Sequence, residues 1–333
     1  MDNQGTGAAA YGQRAAAEIE AYRNNDRVHD LPEIFHYWSN KFLKPKFDAM
    51  AIRGVNEFFE DGMFAAARAT SQPAPKFLSI GAGNCDVEIG VAAALIGRGL
   101  QTFTIECLEL NPSMLARGRS AAEARGVAQH IVFSEGDFNS WCPRHKYSAV
   151  MANQSLHHVL ALEHLFDGVL GALLPGGQFI VSDIIGRNGH LRWPEALSLV
   201  HEFWVQLPPR YRYNLLLRRH EELYENWDCS TEGFEGIRAQ DVLPELMKRF
   251  HFKLFLPFSN VMDVFIDRCF GHHFSPNGEW DCHFIDRLNE RDEAAIVRGD
   301  LTPTHMLAVL SLEPDASPLW WNGLSPRSCV RRA

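Results

Sequence analysis

Two glycines one residue apart, Gly81 and Gly83, stand where the apolar, β-prone run Phe77-Leu78-Ser79-Ile80 gives way to a helix-like pattern from Asp86 onward. No other feature constrains the fold as much. Glycines let the backbone turn sharply and come close to a ligand, beside the free amides of a helix N-terminus. The pattern predicts the first strand–loop–helix of a nucleotide-binding α/β sheet. Phe103-Thr104-Ile105-Glu106-Cys107-Leu108 reads as the second strand and runs into Glu109. An acid at that place can bind two ribose hydroxyls with its two oxygens.

The residue at 86 decides between nucleotides. A dinucleotide fingerprint, G-x-G-x-x-G, needs glycine there, and this chain has Asp86. A carboxylate would repel a pyrophosphate, whereas a cofactor without phosphate would not meet that repulsion. With these residues the chain resembles the class I S-adenosylmethionine-dependent methyltransferases of the small-molecule type, whose loop usually reads G-x-G-x-G. The resemblance spans about residues 70–185. It departs from the family pattern at Ser79, where an acid is common, and at Cys85, which replaces the third glycine.

Three more stretches carry the resemblance. Ile131-Val132-Phe133-Ser134 followed by Glu135-Gly136-Asp137-Phe138 looks like the third strand and its loop. Tyr147–Asn153 resembles the fourth strand and runs into Gln154-Ser155-Leu156-His157-His158. Leu173–Asp183 resembles the helix-turn-strand of the fifth, with Pro175-Gly176-Gly177 as turn chemistry. The resemblance implies a Rossmann-like, seven-stranded, mostly parallel sheet with helices on both faces, a helical lid before it and insertions around the sixth strand. It implies S-adenosyl-L-methionine as cofactor, held by Gly81, Ala82, Gly83 and Cys85 and by Glu109, Leu110 and Met114. Asp137 would accept from the adenine amino group and Phe138 would pack on the ring. Asn153 and Gln154 would line the methionine side.

Composition agrees. The 333 residues are 46% hydrophobic and 22% charged, ordinary for a globular protein. A net charge of −9 argues against nucleic acid as a partner. No apolar run reaches the roughly 18 residues that span a bilayer, so no membrane span is expected. The first residues lack the basic start and apolar core of a signal peptide. The seven cysteines contain no C-x-x-C pair. Together these lead to the expectation of a reduced, cytoplasmic protein, with a homodimer as a possibility.

The organisation expected is an N-terminal helical cap over 1–70, a methyltransferase domain over 71–313 and a loosely ordered tail over 314–333. Insertions at about 186–248 and 262–303 form an acceptor-side cap. Helices are expected over Ala8–Arg23, Leu31–Phe59, Trp193–Gln206, Leu215–Asn226 and 283–298. Leu254–Phe258 and Thr304–Leu310 resemble the sixth and seventh strands. Insertions there belong near the carboxyl ends of the strands, where ligands bind. The acceptor, a small organic molecule, is expected to meet Tyr37, Trp38, His201, Trp204 and Tyr211. Phe35, Trp38 and Phe42 also fit plain packing of a helix on the core, and the two readings are compatible.

Methyl transfer from a sulfonium is an in-line displacement, so alignment is the protein's largest task and is worth about 7–11 kcal/mol. A hydroxyl or amine acceptor must also lose a proton. His157 and His158 follow the fourth strand and are the candidate bases, one facing the pocket and the other the sheet. Both also fit a structural role. His201 and Glu202 come second, and His272 and His273 read as polar surface. Magnesium would need clustered carboxylates and zinc a Cys/His cluster at ligand spacing; neither is visible, so no metal is expected. The competing classes are a non-catalytic relative of the fold and, against Asp86, an NAD(P)-binding oxidoreductase.

Overall fold

The computed structural model describes residues 3–23 and 30–331. Residues 1–2, 24–29 and 332–333 of the expected cap and tail lie outside the described residues. Helix α1 (Asn3–Tyr22) comes first, then α2 (Glu33–Trp38), a π-helical turn over Ser39–Leu43, α3 (Lys44–Ala49) and α4 (Val55–Thr70). The alternating unit follows: β1 (Lys76–Ile80), α5 (Asp86–Gly97), β2 (Thr104–Glu109), α6 (Pro112–Arg125), β3 (Ile131–Glu135), β4 (Tyr147–Asn153), α7 (Leu162–Ala172) and β5 (Leu173–Ile184). Then come α8 (Pro194–Trp204), the short pair β6 (Tyr213–Asn214) and β7 (Arg219–His220), and α9 (Ala239–Met247). The chain closes with β8 (His251–Phe258), α10 (Met262–Ile266), α11 (Glu279–Arg298), β9 (His305–Ser311) and β10 (Leu319–Trp320).

One eight-stranded sheet runs in the order β10-β8-β9-β5-β4-β1-β2-β3. The strands β3, β2, β1, β4 and β5 are parallel; β9 is antiparallel to both β5 and β8. The central strands are covered on both faces, which is why they read as continuous apolar runs rather than alternating ones. The strand order reverses between β4 and β1, and a ligand crevice forms outside the carboxyl ends of strands at such a point. Local chemistry sets the element ends. Asn111 caps α6 by accepting from Ser113 N at 3.0 Å, Pro112 takes the first turn, and Gly126 closes it in left-handed backbone at φ 73°.

Three expectations are corrected. The sheet has eight strands rather than seven, because β10 in the tail adds in parallel to the free edge of β8. The tail is therefore built into the fold as far as Arg331, with Cys329 buried and Arg331 paired to Glu195 at 2.8 Å. Leu215–Asn226 is not a helix. Asn214 Oδ1 accepts from Leu216 N and Leu217 N at 3.1 and 3.0 Å, and Arg218 takes left-handed backbone at φ 52°, which turns β6 back onto β7.

Residues 1–70 serve two purposes. The α4 helix packs on β4 and β5, where a Cβ on Gly62 would lie 2.6 Å from Ile180 Cδ1. Ile34, Trp38, Leu43 and Phe47 are buried in the core, and Trp38 Nε1 donates to Asn289 Oδ1 of α11 at 2.8 Å. By contrast α1 meets loops and the start of α6, where Asn111 Nδ2 donates to Ile19 O at 3.0 Å and Arg117 to Tyr22 O at 3.2 Å, and it adds no buried aromatic of that kind to the core. Deleting residues 1–23 is therefore expected to preserve a cooperative melt close to that of the full chain. Deleting 1–45 removes Trp38 as well, and loss of one such buried side chain costs about 3–5 kcal/mol. Thermal melts of the two truncations check this: equal melting temperatures would contradict the division.

Candidate cofactor and acceptor site

The glycine loop is held open by left-handed backbone. Gly81 has φ 68°, Gly83 φ 55°, and Cys85, in the place of a third glycine, φ 60°. The position thus has the conformation glycine favours, and a buried cysteine adopts it. A Cβ on Gly81 would lie 2.5 Å from Ser155 Cβ, so the loop and the turn after β4 are in contact. The amides of Gly81 and Ala82 donate to Leu108 O at 2.9 and 3.2 Å, tying the loop to the end of β2.

Glu109 sits beside that tie, nearly buried. Its Oε2 accepts from Gly83 N at 2.9 Å and its Oε1 from Asn111 N at 2.8 Å. Burial pushes its carboxyl above the usual range, and the Asn111 and Gly83 amides pull it back. Each oxygen retains lone-pair capacity for a hydroxyl donor. Met114 lies against the same loop, its Cε 3.3 Å from where a Gly83 Cβ would sit. Leu110 packs on the apolar layer under α7.

After β3, Asp137 is held by Asn139, whose backbone amide and Nδ2 donate to Oδ1 at 2.8 and 3.1 Å. Its other oxygen accepts from the Tyr11 hydroxyl of α1, and burial and Asp137 together push that phenol's pKa upward. Phe138 beside it is buried. The group expected to meet an adenine is thus met here by helix α1.

The turn after β4 is organised by one carboxylate. Asp183, fully buried at the end of β5, accepts from Ser155 N at 2.9 Å, Leu156 N at 2.7 Å and Ile184 N at 2.8 Å. It also meets His157 Nδ1 at 2.7 Å. Burial works against a charged His157, but Asp183 and Glu235 outweigh it and push its pKa up to about 10. Gln154 precedes this turn in left-handed backbone at φ 53°, its amide donating to Ser182 O at 2.7 Å, and Asn153 ends β4.

The outer edge of His157 opens onto a second carboxylate. Glu235 lies 3.3 Å from His157 Nε2, 2.6 Å from His190 Nε2 and 3.4 Å from His158 Nε2. The Tyr22 hydroxyl donates to it at 3.2 Å, and His158 Nδ1 meets Glu18 at 2.7 Å. Burial opposes the charge on Glu235, yet the imidazoles hold its carboxyl well below the usual range. In this closed arrangement neither candidate base has a free nitrogen facing an open pocket.

The other acceptor candidates are placed elsewhere. Tyr37 donates to Asp286 at 2.9 Å and Tyr211 to Asp281 at 2.6 Å, both on α11. Trp204 Nε1 donates to Glu222 O at 3.2 Å, and His201 Nε2 meets Tyr224 O at 3.1 Å. With Trp38 on Asn289, three of the five meet α11, and His201 and Trp204 meet the backbone of the stretch after β7. His273 Nε2 meets Tyr213 O at 2.7 Å, and His272 is exposed. The residues that do gather at the crevice and were not foreseen are Tyr11, Glu18, Tyr22, His190 and Glu235.

Residues 79–181 match the family model described as a methyltransferase domain. No curated protein matches the chain. Among solved structures, geranyl diphosphate methyltransferase with GPP and sinefungin is 13% identical over 78% of this chain and 77% of that one, at a TM-score of 0.45. A putative sarcosine dimethylglycine methyltransferase from Galdieria sulphuraria is 15% identical over 77% and 84%, at 0.43. The DhpI–SAH complex is 17% identical over 52% and 70%, at 0.35. Among the described residues no helix is long and apolar enough to cross a membrane. The family match begins inside β1, runs through the glycine loop and Glu109, and ends in β5. Over residues 79–181 the chain is therefore similar to a methyltransferase domain.

Proposed function

We propose that the chain binds S-adenosyl-L-methionine and transfers its methyl group to an oxygen or nitrogen of a small organic acceptor in a biosynthetic step. The observation that carries this is the grip on Glu109: two backbone amides, one from the glycine loop itself, fix both carboxylate oxygens at the crevice. Such fixing orders a carboxylate in advance for paired ribose hydroxyls. Asp137 supports the adenine end, and Asn153 and Gln154 the methionine end. The α1 helix is the lid: Tyr11 covers Asp137, and Arg14 donates to Ser230 O and Gly233 O at 2.6 and 2.7 Å. It must shift for the cofactor to enter, and on closing again it excludes water from the reacting centre.

The protein's own contribution is alignment of nucleophile, methyl carbon and sulfur. The turn that bears His157 and His158 touches Gly81 through Ser155, which supports a place for its side chains on the methyl side of the cofactor. The test is calorimetric titration with adenosylmethionine, followed by a mass-shift assay over a library of hydroxyl and amine acceptors. Micromolar-range binding together with a one-methyl mass gain and demethylated cofactor is the expected result. Binding without any product would favour the non-catalytic relative of the fold, and no binding would overturn the proposal.

A further inference from the structure

We propose that His157, His190 and Glu235 form a binding site for a first-row divalent metal, zinc being the probe, and that the ion's open position takes the acceptor. Ligand atoms of the three residues all lie within 4.8 Å of one another. Two imidazoles and one carboxylate are the donor set of open, reactive zinc and non-haem iron sites, and nitrogen donors disfavour magnesium and calcium. Bonds of about 2.0–2.1 Å in a tetrahedral site place ligand atoms roughly 3.3 Å apart. The 3.3 Å between His157 Nε2 and Glu235 Oε1 already has that spacing. His190 Nε2, at 2.6 Å from the same oxygen, needs to move back by well under 1 Å.

The surroundings point the same way. His157 presents Nε2 because its Nδ1 is committed to Asp183 at 2.7 Å, the carboxylate–histidine arrangement that orients a metal-binding imidazole. His190 is held in left-handed backbone at φ 54°, a conformation in which strain persists only when the surroundings impose it. They do: Gly189 N donates to Gly236 O at 2.8 Å, which stitches the His190 turn to the Glu235 turn. A side chain at 189 has no room, since its Cβ would lie 1.9 Å from Asp228 Oδ1.

Three protein ligands leave a coordination position open. The His157 turn adjoins the glycine loop, so an acceptor hydroxyl bound there would face the cofactor methyl. This step rests on the methyltransferase reading above. The bound hydroxyl loses its proton to solvent more readily. Its oxygen then forms the bond to the methyl carbon, and the carbon–sulfur bond breaks with its electron pair left on sulfur.

The metal and the cofactor are tested separately on the full chain. After chelation and dialysis against zinc, wild type is expected to keep one zinc per chain by elemental analysis. His190→Ala and Glu235→Ala should retain less than a tenth of it, and Asp183→Asn should bind about 10–100-fold more weakly. His272→Ala, on the surface, should bind like wild type. Cobalt should give the visible spectrum of a nitrogen–oxygen site in wild type, without thiolate charge-transfer bands, so the outcome does not depend on variants that fail to fold. Wild type without bound zinc or cobalt, variants that bind as wild type does, or a thiolate spectrum would each overturn the site. Adenosylmethionine titration of the same samples reads the methyltransferase proposal independently.

Discussion

Glu109→Ala is expected to weaken adenosylmethionine binding at least tenfold while leaving the secondary structure intact. A hydrogen bond to a charged group contributes about 1.5–3 kcal/mol, and a tenfold change in affinity corresponds to about 1.4 kcal/mol. Loss of one ribose contact therefore suffices, and alanine removes both. It also frees Gly83 N, which Glu109 Oε2 holds at 2.9 Å, so the loop loses an anchor as well. Glu109→Gln keeps one acceptor oxygen and should fall between wild type and alanine. Gly81→Val should abolish binding, because its φ of 68° and the contact with Ser155 both exclude a branched side chain. Calorimetry with circular dichroism on the same samples checks the set. Unchanged affinity in Glu109→Ala would remove the cofactor assignment.

The parts of the fold that were legible are those whose signal is local. The central strands β1, β4 and β5 are buried on both faces and so appear as apolar runs, and the turns between the parallel strands use glycine, proline or a capping residue within a few positions. The glycine loop and Glu109 lie in consecutive units of that kind. Other parts depend on distant partners. The two-residue β10 is a strand only because β8 offers a free edge, and nothing within Leu319-Trp320 announces it. The charged stretch after Asn214 has helical composition, yet the Asn214 side chain competes for the backbone amides that a helix would use. The cluster around His157 draws His190 and Glu235 from two further loops, so no ligand spacing exists in the sequence to find. Helix α1 left a fainter mark. Tyr11, Arg14, Glu18 and Tyr22, three and four residues apart, form one polar face on an alanine-rich helix; Tyr11 meets the loop after β3, Glu18 the turn after β4, and Arg14 and Tyr22 the stretch 230–235.

Glu88→Gln is expected to stabilise the protein at alkaline pH by up to about 3 kcal/mol and to leave it nearly unchanged at pH 5. Glu88 lies in the first turn of α5, buried, with Ser79 Oγ donating to its carboxylate at 2.5 Å. Burial pushes its pKa up to about 7 from the 4.5 of a free side chain, and the Ser79 hydrogen bond offsets only part of that. The folded state thus holds a proton that the unfolded chain releases. Stability from this group is complete below about pH 4.5, declines as pH rises, and is lost above about pH 7. At 1.36 kcal/mol per pKa unit the interval corresponds to about 3 kcal/mol. A glutamine amide is neutral throughout and still accepts from Ser79, so the slope should vanish. Denaturant melts of both proteins at pH 5 and pH 8 measure it. A difference of the same size at both pH values would mean that Glu88 is ionised in the folded protein at pH 5, or that glutamine disturbs the packing beneath the loop.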